Sequence, residues 1–311
     1  SRIFGAEISG LIVSEIINTC GFVYVALGWT KPVKNGVEIF SIQTGENSML
    51  RYIFSMERIY IGTSGWVYKE WANDFYRGLK PKEHFLHYAT QFPTVEINAT
   101  FYRLPNLKMV HGWRNKAPDG FIFAVKGSRY ITHIKRLNSL EGSVNMFMRR
   151  IAPMKEKLGP LLWQLPPSFK PDLPRLEKFL KRLPKQFSHA MEFRHPDWMA
   201  DETFALLRKY NAANVWLSSM RMPMNFSVTA NFIYLRFHGL AGGAHHDYTR
   251  EELQPWANHI REQAEADKKV FAYFNNDLNV RAPNNAKLLM EMCGDLVAQP
   301  FASKTELPLA A

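Results

Sequence analysis

Four side chains in this sequence are suited to moving protons at a reacting centre: Glu96, Glu192, His238 and Asp277. Three cations, Lys126, Arg194 and Arg236, are interspersed with them. What joins these residues is position, because they fall at the ends of short apolar runs. The runs end in Gly62-Thr63-Ser64-Gly65-Trp66, Glu96-Ile97-Asn98, Lys126, Gln164, Glu192-Phe193-Arg194-His195, Arg236-Phe237-His238 and Asn275-Asn276-Asp277. Carboxylates beside cations suit general acid–base chemistry on an anionic substrate. Glu96 or Glu192 would act as general base, and His238 would exchange a proton near neutral pH. Asp277 would orient His238 or a basic residue. Lys126, Arg194 and Arg236 would hold the anion, the arginines because a planar fork matches phosphate oxygens. Asn98, Gln164, Asn275 and Asn276 would orient substrate or donate to developing charge. Ser64, Trp66, His195 and Tyr273 complete the expected substrate-binding set.

Strands must bring these residues together. Eight runs have strand length: Ile59–Thr63, Thr94–Asn98, Phe121–Lys126, Leu161–Leu165, His189–Phe193, Asn214–Ser218, Ile233–Phe237 and Val270–Phe274. Helical patterns alternate with them at Pro81–Phe92, Leu107–Lys116, Ser143–Leu158, Leu173–Leu183, Asp201–Tyr210 and Arg250–Lys268, and another follows at Asn284–Met292. Pro153 is expected to kink the third. Thr249 and Glu252 form a capping box at the start of the sixth. The stretch from Ser219 to Asn231 has no good helix, so the one between strands six and seven is weak or absent. Eight strands alternating with helices predict an α/β fold, a TIM-type (β/α)8 barrel with its site at the carboxyl ends of the strands. Alternation puts Ile233, Leu235 and Phe237 toward the helices and Tyr234, Arg236 and His238 inward. Glu96 with Asn98, Glu192 with Arg194, and Tyr273 with Asn275 and Asp277 pair off on single faces in the same way. An internal ion-pair network that only fills the barrel is the competing reading of the charged set.

Further motifs carry two readings each. Gly62-Thr63-Ser64-Gly65 could offer backbone N–H groups to an anion, or be a tight turn. The glycine-rich loop His238–Gly243 follows strand seven, where barrels often hold phosphate. His245 and His246 read as solvent-facing rather than as ligands. Trp66, Tyr68 and Trp71 could stack on a base or sugar, but packing over the mouth is favoured. No metal ligands are assigned and no cofactor is required. Glu96, Glu192, His238 and Asp277 could supply donors for a divalent metal, yet no HExxH spacing occurs and the nearby cations would repel it. GxSxG, Walker and GxGxxG fingerprints are absent.

The net charge of +11 favours anionic partners, a small molecule or nucleic acid. Solubility alone is an equal reading of that charge. All of the excess lies beyond residue 55, because Arg2, Lys31, Lys34 and Arg51 balance Glu7, Glu15, Glu38 and Glu46. Cys20 and Cys293 form no CxxC pair, which argues against a disulfide scaffold and fits a reducing cytoplasm. The run Leu11–Trp29 is interrupted by Glu15, Asn18 and Thr19 and falls short of a membrane span. Residues 1–55 are read as an N-terminal extension, a leader upstream of a start at Met56 or Met49. The alternative is a small β module, with Val23–Leu27 and Val37–Ile42 as a hairpin. Residues 56–295 are the barrel and 296–311 a C-terminal tail.

Several segments taken together resemble one family. These are Ile61–Trp66, Val95–Tyr102, Phe123–Lys126, Thr132-His133, Gln164–Pro167, Glu192–Pro196, Arg236–Gly239 and Tyr273–Asp277. As a set they resemble the YecE-like proteins, called domain of unknown function 72. The likeness spans roughly Ile59 to Cys293. It implies a TIM-type barrel in a bacterial or archaeal cytoplasmic protein, and no activity. Members often carry an aspartate near the end of strand six, where this chain has Ser218-Ser219. The expectation is an enzyme, a hydrolase or lyase, acting on an anionic, phosphorylated or nucleotide-like substrate. The alternatives are a non-catalytic nucleic-acid binder and a metal-dependent nuclease of the endonuclease IV type, the last by fold analogy.

Overall fold

The computed structural model describes residues 26–28, 37–44, 48–55 and 57–301. The chain divides into two units, Ser1–Met56 and Glu57–Ala311. In the first, β1 (Ala26–Gly28), β2 (Val37–Thr44) and β3 (Ser48–Ser55) form an antiparallel meander. Ala26 lies opposite Gln43, and Val37 opposite Ser55. The run expected to begin at Val23 is seen from Ala26; Val23–Val25 lie outside the described residues. The third strand carries no clear period and was not expected.

In the second unit every barrel strand is parallel to its neighbours. The strands are β4 (Ile59–Thr63), β5 (Thr94–Ile97), β6 (Ile122–Lys126), β7 (Leu158–Gln164), β8 (His189–Glu192), β9 (Ala212–Ser218), β10 (Phe232–Phe237) and β11 (Lys269–Phe274). Their order is β4-β11-β10-β9-β8-β7-β6-β5, so the two ends of the series meet and the α/β barrel is nearly closed. A single bridge, Ser64 to Glu96, joins β4 to β5. Below it the Tyr88 hydroxyl stands in for ladder bonds. It accepts from the Thr63 N–H at 2.9 Å and lies 3.1 Å from the Thr94 carbonyl, to which it donates. Any side chain at Gly62 would strike the Thr94 carbonyl, so this approach requires glycine.

Nine α-helices occur among the described residues: α1 (Trp71–Asp74), α2 (His84–Ala89), α3 (Ala99–Tyr102), α4 (Leu107–Lys116), α5 (Ser143–Ile151), α6 (Leu173–Arg182), α7 (Asp201–Lys209), α8 (Arg250–Glu265) and α9 (Arg281–Cys293). Residues 219–231 contain none, as their proline and asparagines led us to expect. Helix α5 stops two residues before Pro153, and a 3-10 segment carries the chain on to β7. The Thr249–Glu252 capping box forms and starts α8. Residues 296–301, expected as tail, are held against the barrel. Ala298 donates to Ile59, Phe301 donates to Ala89, and the Phe301 ring packs on Phe121.

Strand alternation yields two cores. Val95, Ile97, Val125, Ile233, Leu235 and Phe237 pack toward the helices. Inside the barrel, Ala124, Leu162, Ala190 and Ala213 leave room for Phe232, Tyr234, Phe271 and Tyr273. Large and small side chains thus fill the lower interior. Above this plug the interior turns charged. No helix among the described residues is long and apolar enough to cross a membrane.

Candidate functional site

The charged layer is built around Arg236, which is 1% exposed. Its position on β10 points it up the barrel axis, between β5 and β8. Nη2 donates to Glu96 Oε1 and Nη1 to Glu192 Oε2, each at 2.7 Å. Both carboxylates are fully buried, so each needs further donors. Glu96 takes Ser64 Oγ on Oε1 and the Tyr234 hydroxyl on Oε2, both at 2.7 Å. Glu192 takes Gln164 Nε2 and Arg194 Nε on Oε1, again at 2.7 Å. Seven residues from β5, β7, β8 and β10 and the ends of β4 and β8 therefore form one connected network.

Electrostatics assigns the protons. Burial alone would raise the Glu192 carboxyl, but Arg236 and then Arg194 outweigh it and hold it well below the usual carboxylate range. Burial, and then the charge of Arg236, keep His238 well below the ordinary imidazole value. His238 is therefore neutral at pH 7. Arg236 Nη1 lies 3.2 Å from His238 Nε2, and a guanidinium can only donate, so Nε2 accepts. The imidazole proton then sits on Nδ1, which faces the Asn275 carboxamide at 3.4 Å. Since one neutral ring cannot accept at both nitrogens, Asn275 must present its oxygen there.

Lys126 ends β6 beside this network and is 8% exposed. The register of β6 against β7 shifts between Phe123 and Val125, just before it. Such irregularities re-aim side chains next to active sites. Its ammonium rests over the Phe101 ring, 4.4 Å from the centroid. Burial, and then Arg236, pull the amine down to about 8.

Not every expected residue joins. Asp277 is not bonded to His238; its carboxylate interacts with the Tyr68 hydroxyl, and burial raises its pKa. His195 faces away and caps a short turn by accepting from the Asp197 N–H. Asn276, two residues past the end of β11, ties His246 to Asn285. Tyr273 lies deeper, its hydroxyl 2.8 Å from Thr94 Oγ1. Asn98 directly follows β5 at the mouth, with its Oδ1 buried and without a hydrogen-bond partner among the described residues. Trp66 meets Phe85 and Trp113 edge-on, and Trp71 is fully buried and so is not free to stack on a base. The Gly62–Gly65 turn is no open anion nest, because the Thr63 N–H goes to Tyr88 and the Ser64 N–H to Phe274. In the glycine loop, Gly239 donates to Tyr248 and Gly243 to Leu240. His245 is exposed, but His246 is half-buried against Glu252 rather than solvent-facing. Ser218, the last residue of β9, turns outward to Tyr248, so the first of the two serines is not in the mouth. No group of three His, Cys, Asp or Glu side chains among the described residues is placed to hold a metal ion. Glu96 and Glu192 in particular are committed to Arg236.

A family profile described as "Protein of unknown function DUF72" matches residues 60–308. This chain belongs to the DUF72 family. It is 36% identical to UPF0759 protein YecE of Escherichia coli K12 over 143 residues, 46% of this chain and 50% of that one. The match thus spans about half the length of that curated relative. It is 26% identical to UPF0759 protein YunF of Bacillus subtilis, over 75% of this chain and 94% of that protein. A crystal structure of a DUF72 family protein from Thermotoga maritima superposes with a TM-score of 0.70 at 29% identity, covering 75% of this chain and 98% of that one. The family resemblance and the TIM-type barrel both stand.

Within this DUF72 barrel, three residues were not counted among the site from the sequence. Tyr234 shares the inward face with Arg236, where parity placed it, but it was not counted in the site. Phe101 and His133 could not be found by parity, because they lie beyond the strands. His133 sits on a π-helical turn, Tyr130–Ile134, 4.9 Å edge-on from Phe101. Burial, and then Lys126, lower its pKa to about 4. Single π turns frequently mark functional positions.

Proposed function

We propose that this DUF72 chain is an enzyme, a hydrolase or lyase, that binds a small anionic substrate at the carboxyl end of its barrel. One observation carries the reading: the donors left over at the mouth are cationic. Arg236 spends both Nη groups on buried carboxylates, so its role is to position them. Arg194 uses Nε on Glu192, while its two Nη groups have no partner among the described residues, and its side chain is 25% exposed. Lys126 Nζ likewise has no polar partner there. Three cations against two carboxylates leave the network one positive charge in excess, which suits an incoming anion. Arg194 is the principal anion ligand and Lys126 adds charge beside it. Glu96 and Glu192 hold the cations in place and serve less well as bases, since their oxygens are already occupied. Neutral His238, with its proton on Nδ1, is the proton-transfer group.

Inorganic phosphate is the first probe. Isothermal titration should give measurable binding, weakened about tenfold or more by Arg194→Ala, the loss of one charge-assisted pair. Asp277→Asn should leave it unchanged. Phosphate binding that is absent, or indifferent to Arg194→Ala, removes this reading.

A further inference from the structure

We infer that Lys126 is a nucleophilic amine that condenses with the carbonyl carbon of a small anionic aldehyde or ketone held by Arg194. The inference rests on the anion site proposed above and narrows its substrate class to carbonyl compounds.

Four observations support it. Lys126 projects from the carboxyl end of a barrel strand, where side chains converge on the mouth. It is nine-tenths buried, yet its ammonium has no hydrogen bond or ion pair among the described residues. An unpaired buried charge is costly, and a lysine relieves that cost by giving up its proton. Its stem is held rigidly: Thr100 Oγ1 donates to the Lys126 carbonyl at 2.6 Å, and Phe101 lies under the amine.

The charged groups facing Lys126 are Arg236 from β10, Arg194 after β8, and Glu192 and Glu96 from β8 and β5. Arg236 disfavours the ammonium more strongly than either glutamate favours it. Both glutamates are in turn bound to Arg236, which blunts their pull. Desolvation together with a neighbouring cation is a known way to activate a lysine amine. With its value brought to about 8, roughly a tenth of the amine is free at pH 7. An ordinary surface lysine offers less than about a thousandth.

The chemistry balances without an external oxidant or reductant. The Nζ lone pair attacks the carbonyl carbon, the C–N bond forms, and the π pair moves to oxygen, which takes a proton as nitrogen releases one. The hydroxyl of this carbinolamine takes a second proton and leaves as water, and C=N forms as a protonated iminium. Those protons exchange with solvent and with the neutral imidazoles of His238 and His133. An iminium withdraws electrons from the adjacent carbon. That favours lyase chemistry, breaking a bond next to the carbonyl, over hydrolysis.

The test uses pyruvate as probe and sodium borohydride to reduce any imine to a stable secondary amine. Peptide mass spectrometry of the full chain should place the adduct on Lys126, at least about tenfold above the mean of the surface lysines. Half-maximal trapping should fall near pH 8 rather than near the ordinary lysine value of about 10.4. Lys126→Arg, which keeps the charge, should abolish the adduct. Arg194→Ala should retain it at higher pyruvate concentration, shifted about tenfold. An adduct at Lys126 no greater than at surface lysines overturns the inference. If phosphate still binds in that case, the anion site survives and only the amine chemistry falls. If phosphate fails to bind as well, both fall together.

Discussion

Arg236 and Lys126 are both buried in the same barrel, on β10 and β6, yet their surroundings are opposite. Arg236 meets two carboxylates that are themselves bonded to Ser64, Tyr234, Gln164 and Arg194. Lys126 meets an aromatic face and no anion at bonding distance. One cation is neutralised by design of its neighbours, while the other is left to neutralise itself. The difference separates a group that builds the site from one that is free to react in it. A buried charge met by opposite charges is structural until something displaces a partner. A buried charge without partners stores its desolvation cost as reactivity.

The largest expected effect comes from breaking the satisfied side. Arg236→Met strands two buried carboxylates and should destabilise the fold by about 3–5 kcal/mol, read as a lower urea midpoint. Glu192→Gln keeps the shape but removes one charge, and should cost about 1.5–3 kcal/mol by the same measurement. It should also change the acid limb of stability. The folded Glu192 value is depressed, so its contribution is present above the unfolded value of 4.5 and is lost as pH falls below it. Glu192→Gln should therefore flatten the stability profile below pH 4.5. A profile as steep as that of the unaltered chain would place the acid sensitivity elsewhere.

The unpartnered side predicts the opposite sign. Lys126→Met keeps the contact with Phe101 and removes a poorly solvated amine, and should raise stability at pH 7 by about 1–3 kcal/mol. For the unaltered chain, the folded amine is already neutral between pH 8 and 10.5 while the unfolded amine still binds a proton. Stability should then rise with pH across that window, and Lys126→Met should lose the rise. A destabilised Lys126→Met would mean that the ammonium has a partner and that the contrast with Arg236 is false. The smallest effect serves as calibration: Thr249→Ala removes the cap of α8 and should cost about 1 kcal/mol whatever happens at the mouth.

Much of this was legible from the chain. Strand period is two, so the faces of Glu96, Glu192, Arg236 and Asn275 follow from parity once the runs are located. Parity also placed Asn276 on the face opposite Asn275, although it was grouped with the site. The other failures lie where parity gives no guidance. Asp277 and His195 stand past the last paired residue of their strands, where local turns set direction. His195 is spent as a cap, and Asp277 faces Tyr68. Phe101 and His133 arrive on short turns whose register no period reveals.

The order of apolar and polar residues along the chain determined the barrel, the inward set and the end of the barrel that carries it, because alternation and strand direction are local properties. Which cation meets which carboxylate is not local. Arg236 lies 140 residues from Glu96 and 44 from Glu192. Only the closure of eight strands sets those distances, and with them which charge is cancelled at Arg236 and which is left exposed to chemistry at Lys126.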